Sequence, residues 1–411
     1  MTSASAIQEP RGPDSAYSWF RLAAALAIST VGSVGLWSVV VVLPLVQQEF
    51  GSQRAGASLP YTLVMLGVAF GTILMGRLAD RFTMALPIVL AAILIGAGYI
   101  VAGFAPNLTV FALAHGLLIG IGTSAGFAPL MADISHWFVK RRGLAVVIAA
   151  SGNYIAGTIW PLLLNHFLPS MGWRSIHIAI GVIVCCTLLP LAPIFRRQPS
   201  RQVIAAAETA TAAARSDLGV SPLTLQILLT VAGFACCVAM AMPQVHIVAY
   251  CGDLGYGVAH GAEMLSLMLG LGVVSRVASG FVADRIGAGL TLVIGSLMQA
   301  LSLLLYLFFN GLESLYVIAA IFGLFQGGIV PMYAILIRDY LPPREAGMRI
   351  GFVISATILG MAFGGYFSGL IYDVFQSYRM AFLNGVLWNV LNLMIVLWLL
   401  IRQRSAVAAS A

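Results

Sequence analysis

Arg276 stands in LGLGVVSRVASGFVADRIG, residues 269–287, with no acidic residue within seven positions on either side. A guanidinium in so apolar a stretch needs a counter-charge or a full set of acceptors. Arginine stays protonated and presents a planar fork of donors, so the chemistry it suits is bidentate capture of a carboxylate. Asp284 lies about 12 Å further along a helix, and helical side chains lean toward their own N-terminus, which disfavours a direct pair. Gly272 and Gly280 lie one turn either side of Arg276 and, with Ser275 and Ser279, leave room around it. Two readings follow. The guanidinium faces a water-filled cavity where an anionic substrate supplies the missing charge, or it is bonded to backbone carbonyls and polar side chains in a packed interface.

A few further polar residues interrupt apolar stretches. His115 has the titration range for proton exchange and is the candidate for proton coupling as well as substrate contact. The competing reading is a neutral histidine bonded between helices. Asn153, Gln326, Tyr333 and Trp37 could complete a pocket, although such residues are more often helix–helix contacts, and His246 could contact substrate or serve a gating or interfacial role. An aromatic wall around one cation suits a small organic anion with an apolar portion. No nucleophile–base pair and no metal-ligand spacing is visible. GLLIGIGTSAG at 116–126 lacks the strand and the Gly-Lys-Ser/Thr of a phosphate loop. The expectation is a non-enzyme without metal or cofactor. Cys185, Cys186, Cys236, Cys237 and Cys251 read as small core residues.

These residues must be positioned by membrane helices. Of 411 residues, 60% are hydrophobic and 9% charged, with mean hydropathy +0.98. A soluble chain of this length cannot cover its surface with so few charges. Apolar runs long enough to cross a bilayer recur at 20–46, 57–77, 85–104, 108–134, 143–167 and 174–195, then at 222–250, 261–283, 287–310, 313–337, 348–373 and 379–401. The expected fold is an all-α membrane protein: an N-terminal six-helix bundle over 1–195, a polar linker over 196–221 and a C-terminal six-helix bundle over 222–411. The first 18 residues are polar and do not read as a signal peptide. Of the 21 Lys and Arg, only Arg54, Arg174 and Arg379 fall at the surface opposite the termini, which places both termini and the linker in the cytoplasm. The net charge of +7 is then a topology signal and implies no nucleic-acid partner. All 14 acidic residues map toward one surface or the other, none to mid-depth.

The halves repeat. Gly76-Arg-Leu-Ala-Asp80-Arg81 returns as Gly280-Phe-Val-Ala-Asp284-Arg285, a shift of 204 residues, and the same shift carries Gly143 onto Gly347. Parallel six-helix halves are built to rock about a site at their interface.

GRLADR and GFVADR resemble the cytoplasmic-loop signature of the major facilitator superfamily. The resemblance implies that glycine lets two helices approach and that the acid latches one state near a helix N-terminus and a basic residue. That role falls on Gly76, Asp80 and Arg81 with Arg142, and on Gly280, Asp284 and Arg285. Phe82 and Thr83 depart from the signature, so the first latch is expected to be the weaker. Trp137-Phe-Val-Lys140-Arg141-Arg142-Gly143-Leu144-Ala145, followed by Ser151-Gly152 and Gly157, resembles the monocarboxylate transporters and oxalate–formate exchangers. In that branch an arginine at the place of Arg276 binds the substrate carboxylate, and many members carry an acid where this chain has Gly272. The drug–antiporter signature is absent, with SGNYIAGTIWP in its place.

The sequence therefore predicts a monomeric secondary transporter of the inner membrane. Its cargo would be a small organic anion, such as lactate, pyruvate or an aromatic carboxylate, moved by proton symport or exchange. The alternatives are an exporter of drugs or neutral compounds and a transport-incompetent membrane sensor.

Overall fold

The computed structural model describes residues 12–51 and 54–410. Among the described residues there is no strand, and twelve helices are long and apolar enough to cross a bilayer. Spans 1 to 6 are Ala16–Val39, Leu59–Arg81, Ala85–Gly103, Leu108–Trp137, Arg142–Leu164 and His166–Arg196. Spans 7 to 12 are Pro222–Val248, Glu263–Ile286, Ala288–Phe308, Leu312–Tyr340, Pro343–Phe375 and Tyr378–Gln403. An even number of crossings puts the described termini on the same face as the linker helix, Arg201–Leu218. We call this the linker face. The side chain of Arg54 and residues 1–11 lie outside the described residues.

Local chemistry sets the ends and breaks. Ser15 caps span 1 by accepting from the Ser18 N–H, Asn107 caps span 4 at Val110, and Ser221 precedes Pro222 and accepts from Thr224. The helical run Arg142–Leu191 that carries spans 5 and 6 breaks within the first turns of span 6, at Gly172, whose φ of 71° and ψ of 157° no helix accommodates. Span 4 loosens into a π turn over Ala114–Gly120 and a 3-10 turn over Ser124–Gly126 before Phe127 leaves helical geometry. Span 10 is interrupted between Gln326 and Ile329.

Each half has its own apolar centre: Ile88, Ile95, Ile119 and Val184 in the first, Leu292, Leu303, Phe322 and Met332 in the second. Leu66, Leu162, Val274 and Leu387 are exposed, as lipid-facing side chains must be. Between the halves, span 11 lies along span 2 and span 8 along span 5. The glycine-rich stretch of span 4 serves close packing. A Cβ on Gly116 would stand 2.7 Å from Leu63 Cβ of span 2.

Candidate functional site

Arg276 is 4% exposed at the seam between the halves. Its Nε donates to the Gly327 carbonyl at 2.8 Å and its Nη1 to the Ala150 carbonyl at 2.5 Å. The first acceptor is free for a reason written in the chain. In a continuous helix the Gly327 carbonyl would accept from residue 331, and Pro331 has no N–H. The interruption of span 10 thus supplies an acceptor at the depth where Arg276 arrives from span 8. The guanidinium lies over the Tyr154 ring, 3.7 Å from its centroid, with Phe127 at 6.0 Å. Cation–π contact helps to hold it, and no acid touches it among the described residues. Of the two arrangements open to Arg276 in the sequence, this state realises the carbonyl-bonded one rather than a guanidinium open to a water-filled cavity.

Neighbours extend the site. Gln326 is buried and accepts from Gln244 Nε2 of span 7 at 2.5 Å, while its own Nε2 has no partner. A Cβ placed on Gly272 would sit 3.8 Å from both Gln326 Nε2 and the Tyr154 ring, which is ordinary contact. Trp37 donates to the Asn153 carbonyl at 3.2 Å and to Asn153 Oδ1 at 3.3 Å, its indole seated against Gly157. The structure therefore gathers Arg276 and Gln326, and brings Trp37 and Asn153 beside them through Tyr154, the chain neighbour of Asn153. Tyr154 is the residue that sequence reading missed. A tyrosine within span 5 carries no signal of its own until span 8 is set against it.

Three expected residues are placed elsewhere. Tyr333 donates to Asn392 Oδ1 at 2.6 Å inside the C-terminal half, where Asn392 in turn reaches Ser296. His246 Nε2 meets the Gly365 carbonyl at 2.8 Å, joining spans 7 and 11. His115, in the π turn, is fully buried within the N-terminal half among Tyr99, Phe111 and His177, its Nδ1 on the Phe111 carbonyl.

The acids of the two loops bond across the seam. Asp80 accepts from Gly347 and Met348 N–H, both at 2.8 Å, and Asp284 accepts from Gly143 and Leu144 N–H at 2.6 and 3.1 Å. Each carboxylate caps the first turn of a span in the other half, where the helix dipole favours it. The expected Asp80–Arg142 pairing is replaced: Arg142 pairs with Asp339 at 3.0 Å. The expectation of a weaker first latch also fails on geometry, because Asp80 makes the same two bonds as Asp284. Phe82 instead lies under Arg81, at 5.5 Å, and Arg285 is an exposed last-turn cation. Gly76 and Gly347 pack backbone to backbone, as do Gly143 and Gly280. Among the described residues, polar contacts between the halves lie from the depth of Arg276 to the linker face, so the seam is shut on that side.

A twelve-span membrane protein of two similar halves, closed at one face around a buried cation, has the build of an alternating-access transporter. The chain belongs to the Major Facilitator Superfamily, whose profile matches residues 25–314 and 264–411. It is similar to monocarboxylate transporter 13 of Rattus norvegicus, 26% identical over 391 residues, covering 92% of this chain and 87% of the relative. It is also 25% identical over 346 residues to an uncharacterised transporter of the superfamily, YcxA of Bacillus subtilis, covering 80% and 82% of the two chains. Among solved structures, the E. coli fucose:proton symporter FucP superposes with a TM-score of 0.74 at 13% identity, covering 93% and 99%. It is a multi-pass membrane protein of a transporter family.

Proposed function

We propose that this protein carries a small monocarboxylate across the inner membrane, with the linker face cytoplasmic, and that Arg276 binds the carboxylate. One observation carries the reading: a guanidinium buried at the seam between the halves whose hydrogen-bond partners are neutral carbonyls. An anion arriving from the face opposite the linker can displace the Ala150 carbonyl and form a charge-assisted bidentate pair, which is stronger than the bonds it replaces. Gln326 Nε2, an unsatisfied donor, would take a second carboxylate or carbonyl oxygen, and Trp37, Tyr154 and Asn153 would face the apolar part. The similarity to a monocarboxylate transporter over nearly the whole chain supports the same cargo class.

Coupling follows from charge. The empty site holds an uncompensated cation, and bound substrate neutralises it, so the loaded carrier crosses between states more readily than the empty one. His115 is sealed in the aromatic interior of its half, away from the seam. Exchange of one carboxylate for another is therefore the coupling this site supports best.

Uptake into proteoliposomes across a panel of lactate, pyruvate, oxalate, formate and benzoate tests the reading, with and without internal carboxylate and with and without a pH gradient. The expected result is uptake stimulated by internal carboxylate, and loss of kcat/KM by about a hundredfold in Arg276→Ala, with only partial recovery in Arg276→Lys. Full activity of Arg276→Ala on the identified substrate would sink the proposal. Uptake of neutral or cationic compounds alone would favour the exporter reading.

A further inference from the structure

A second guanidinium is buried at the same seam. Arg338, near the linker-face end of span 10, is 2% exposed, and its Nε and Nη1 reach no acceptor among the described residues. The acid beside it in the chain, Asp339, is held by Arg142 of span 5. Arg142 and Asp339 both act on Arg338 electrostatically, the first repelling it. His136 of span 4 is its neighbour across the seam, and both ring nitrogens of His136 are engaged by carbonyls, of Ala132 and Pro343. Of the other acids of the cluster, Asp284 is spent on the N–H groups of Gly143 and Leu144, and Asp133, which faces His136, is paired with Arg21. A buried cation left this way is costly, and buried polar groups without partners call for an explanation.

Its position supplies one. From the Gly327 carbonyl that holds Arg276, Arg338 is eleven residues along span 10, about 16 Å of helix rise toward the linker face. The Ile329–Tyr340 segment packs on span 5, whose Ala150 and Arg142 lie beside the upper and lower guanidinium respectively. The bonds from Asp284 tie the first turn of span 5 to span 8 over this stretch at the linker face.

We propose that Arg338 is a second anion station, which takes the substrate carboxylate on the linker side of Arg276 when the latches open. This rests on the reading of the protein as a carboxylate carrier. In the closed state two of its nitrogens are buried without an acceptor, a cost to closure that an anion met at this depth relieves. Two cations in file then serve an exchanger, because the departing and arriving anions are met at different depths.

Sided membrane vesicles give the test, with lactate as the probe on both sides and its concentration varied on one side at a time. In Arg338→Met, the half-saturating concentration on the linker side is expected to rise about tenfold, while that on the opposite side stays within about twofold. The purified variant should also melt at a higher temperature than the parent, because an unpaired buried charge has been removed. A merely structural role would instead lower the melting temperature and move both constants together. Arg338→Lys should give a smaller shift, about threefold, on the linker side alone. Unchanged constants on both sides in Arg338→Met, or equal changes on the two sides, would overturn the station while leaving Arg276 in place. Absence of lactate movement in the parent protein, under conditions where no other carboxylate is moved, would overturn the underlying reading instead.

Discussion

At the linker face the N-terminal half offers Asp80 to the N–H groups of Gly347 and Met348, and the C-terminal half offers Asp284 to those of Gly143 and Leu144. Donors and acceptors alike are related by the same shift of 204 residues, so closure is one device used twice. Inside, the halves part company. In the N-terminal half, buried Arg21 is met by Asp133 through two bonds of 2.6 and 2.8 Å, and Arg174 by Glu49 at 2.7 Å. In the C-terminal half, Arg276 and Arg338 are both buried without an acid. The latch persists in both copies because backbone amides and a carboxylate ask only for Asp and for glycines where backbones meet. The charge balance diverged, and the buried arginines without an ion-pair partner lie in the C-terminal half, on which the proposed anion site rests.

The contrast can be broken from the paired side. Asp133→Asn takes the counter-charge from Arg21, leaving it the Ile194 carbonyl and the Tyr17 hydroxyl, and the expected loss is about 3 kcal/mol of stability, read as a large fall in melting temperature. A variant that melted like the parent would show that Arg21 tolerates isolation as Arg276 does, and the distinction between the halves would fall. From the unpaired side, Gly272→Asp introduces an acid one turn from Arg276 at a position with only ordinary contacts. It should raise the melting temperature while lowering kcat/KM for carboxylate about tenfold, since the substrate now competes with a fixed counter-ion.

The symmetry of the latches is open to the same treatment. Asp80→Asn and Asp284→Asn should each weaken the closed state by about 1–2 kcal/mol, shifting its population against the linker-open state about tenfold. Spin-label distances between the linker-face ends of spans 4 and 10 would report it, and a strong effect of one variant with none of the other would refute equivalence. The smallest effect belongs to Glu49. Hydrogen bonds from Arg174, and then Trp173, hold its carboxyl below the usual range. Its contribution is therefore present above that range and lost as pH falls through the lowered value. The melting temperatures of Glu49→Gln and the parent should differ slightly at pH 7 and converge once the pH falls below the lowered value.

Much of this was readable in the chain. Hydropathy and the 204-residue repeat foretold twelve spans, and the isolation of Arg276 foretold that no acid would meet it. The glycine–acid loops marked the latch residues, though not that each acid reaches into the opposite half. That requires knowing that spans 2 and 11 are neighbours, a long-range contact that no local pattern encodes. The Arg276–Gly327 bond had a signal in Pro331, which removes one N–H and frees one carbonyl, but only adjacency of spans 8 and 10 gives the carbonyl its donor. His115 and Tyr333 show the reverse. A polar residue in an apolar span has the same appearance whether it faces a cavity or a neighbouring helix.

What the sequence determined by itself was the set of helices, their duplication and the shortage of acids in the membrane, because each follows from composition and short-range periodicity. What only the tertiary structure decided was partnership: which carbonyl holds Arg276, which half each loop acid reaches, and that two nitrogens of Arg338 are left without an acceptor. Those depend on distances between residues far apart in the chain, and in a medium without water the energy of each charge is set by what stands within a few ångströms of it.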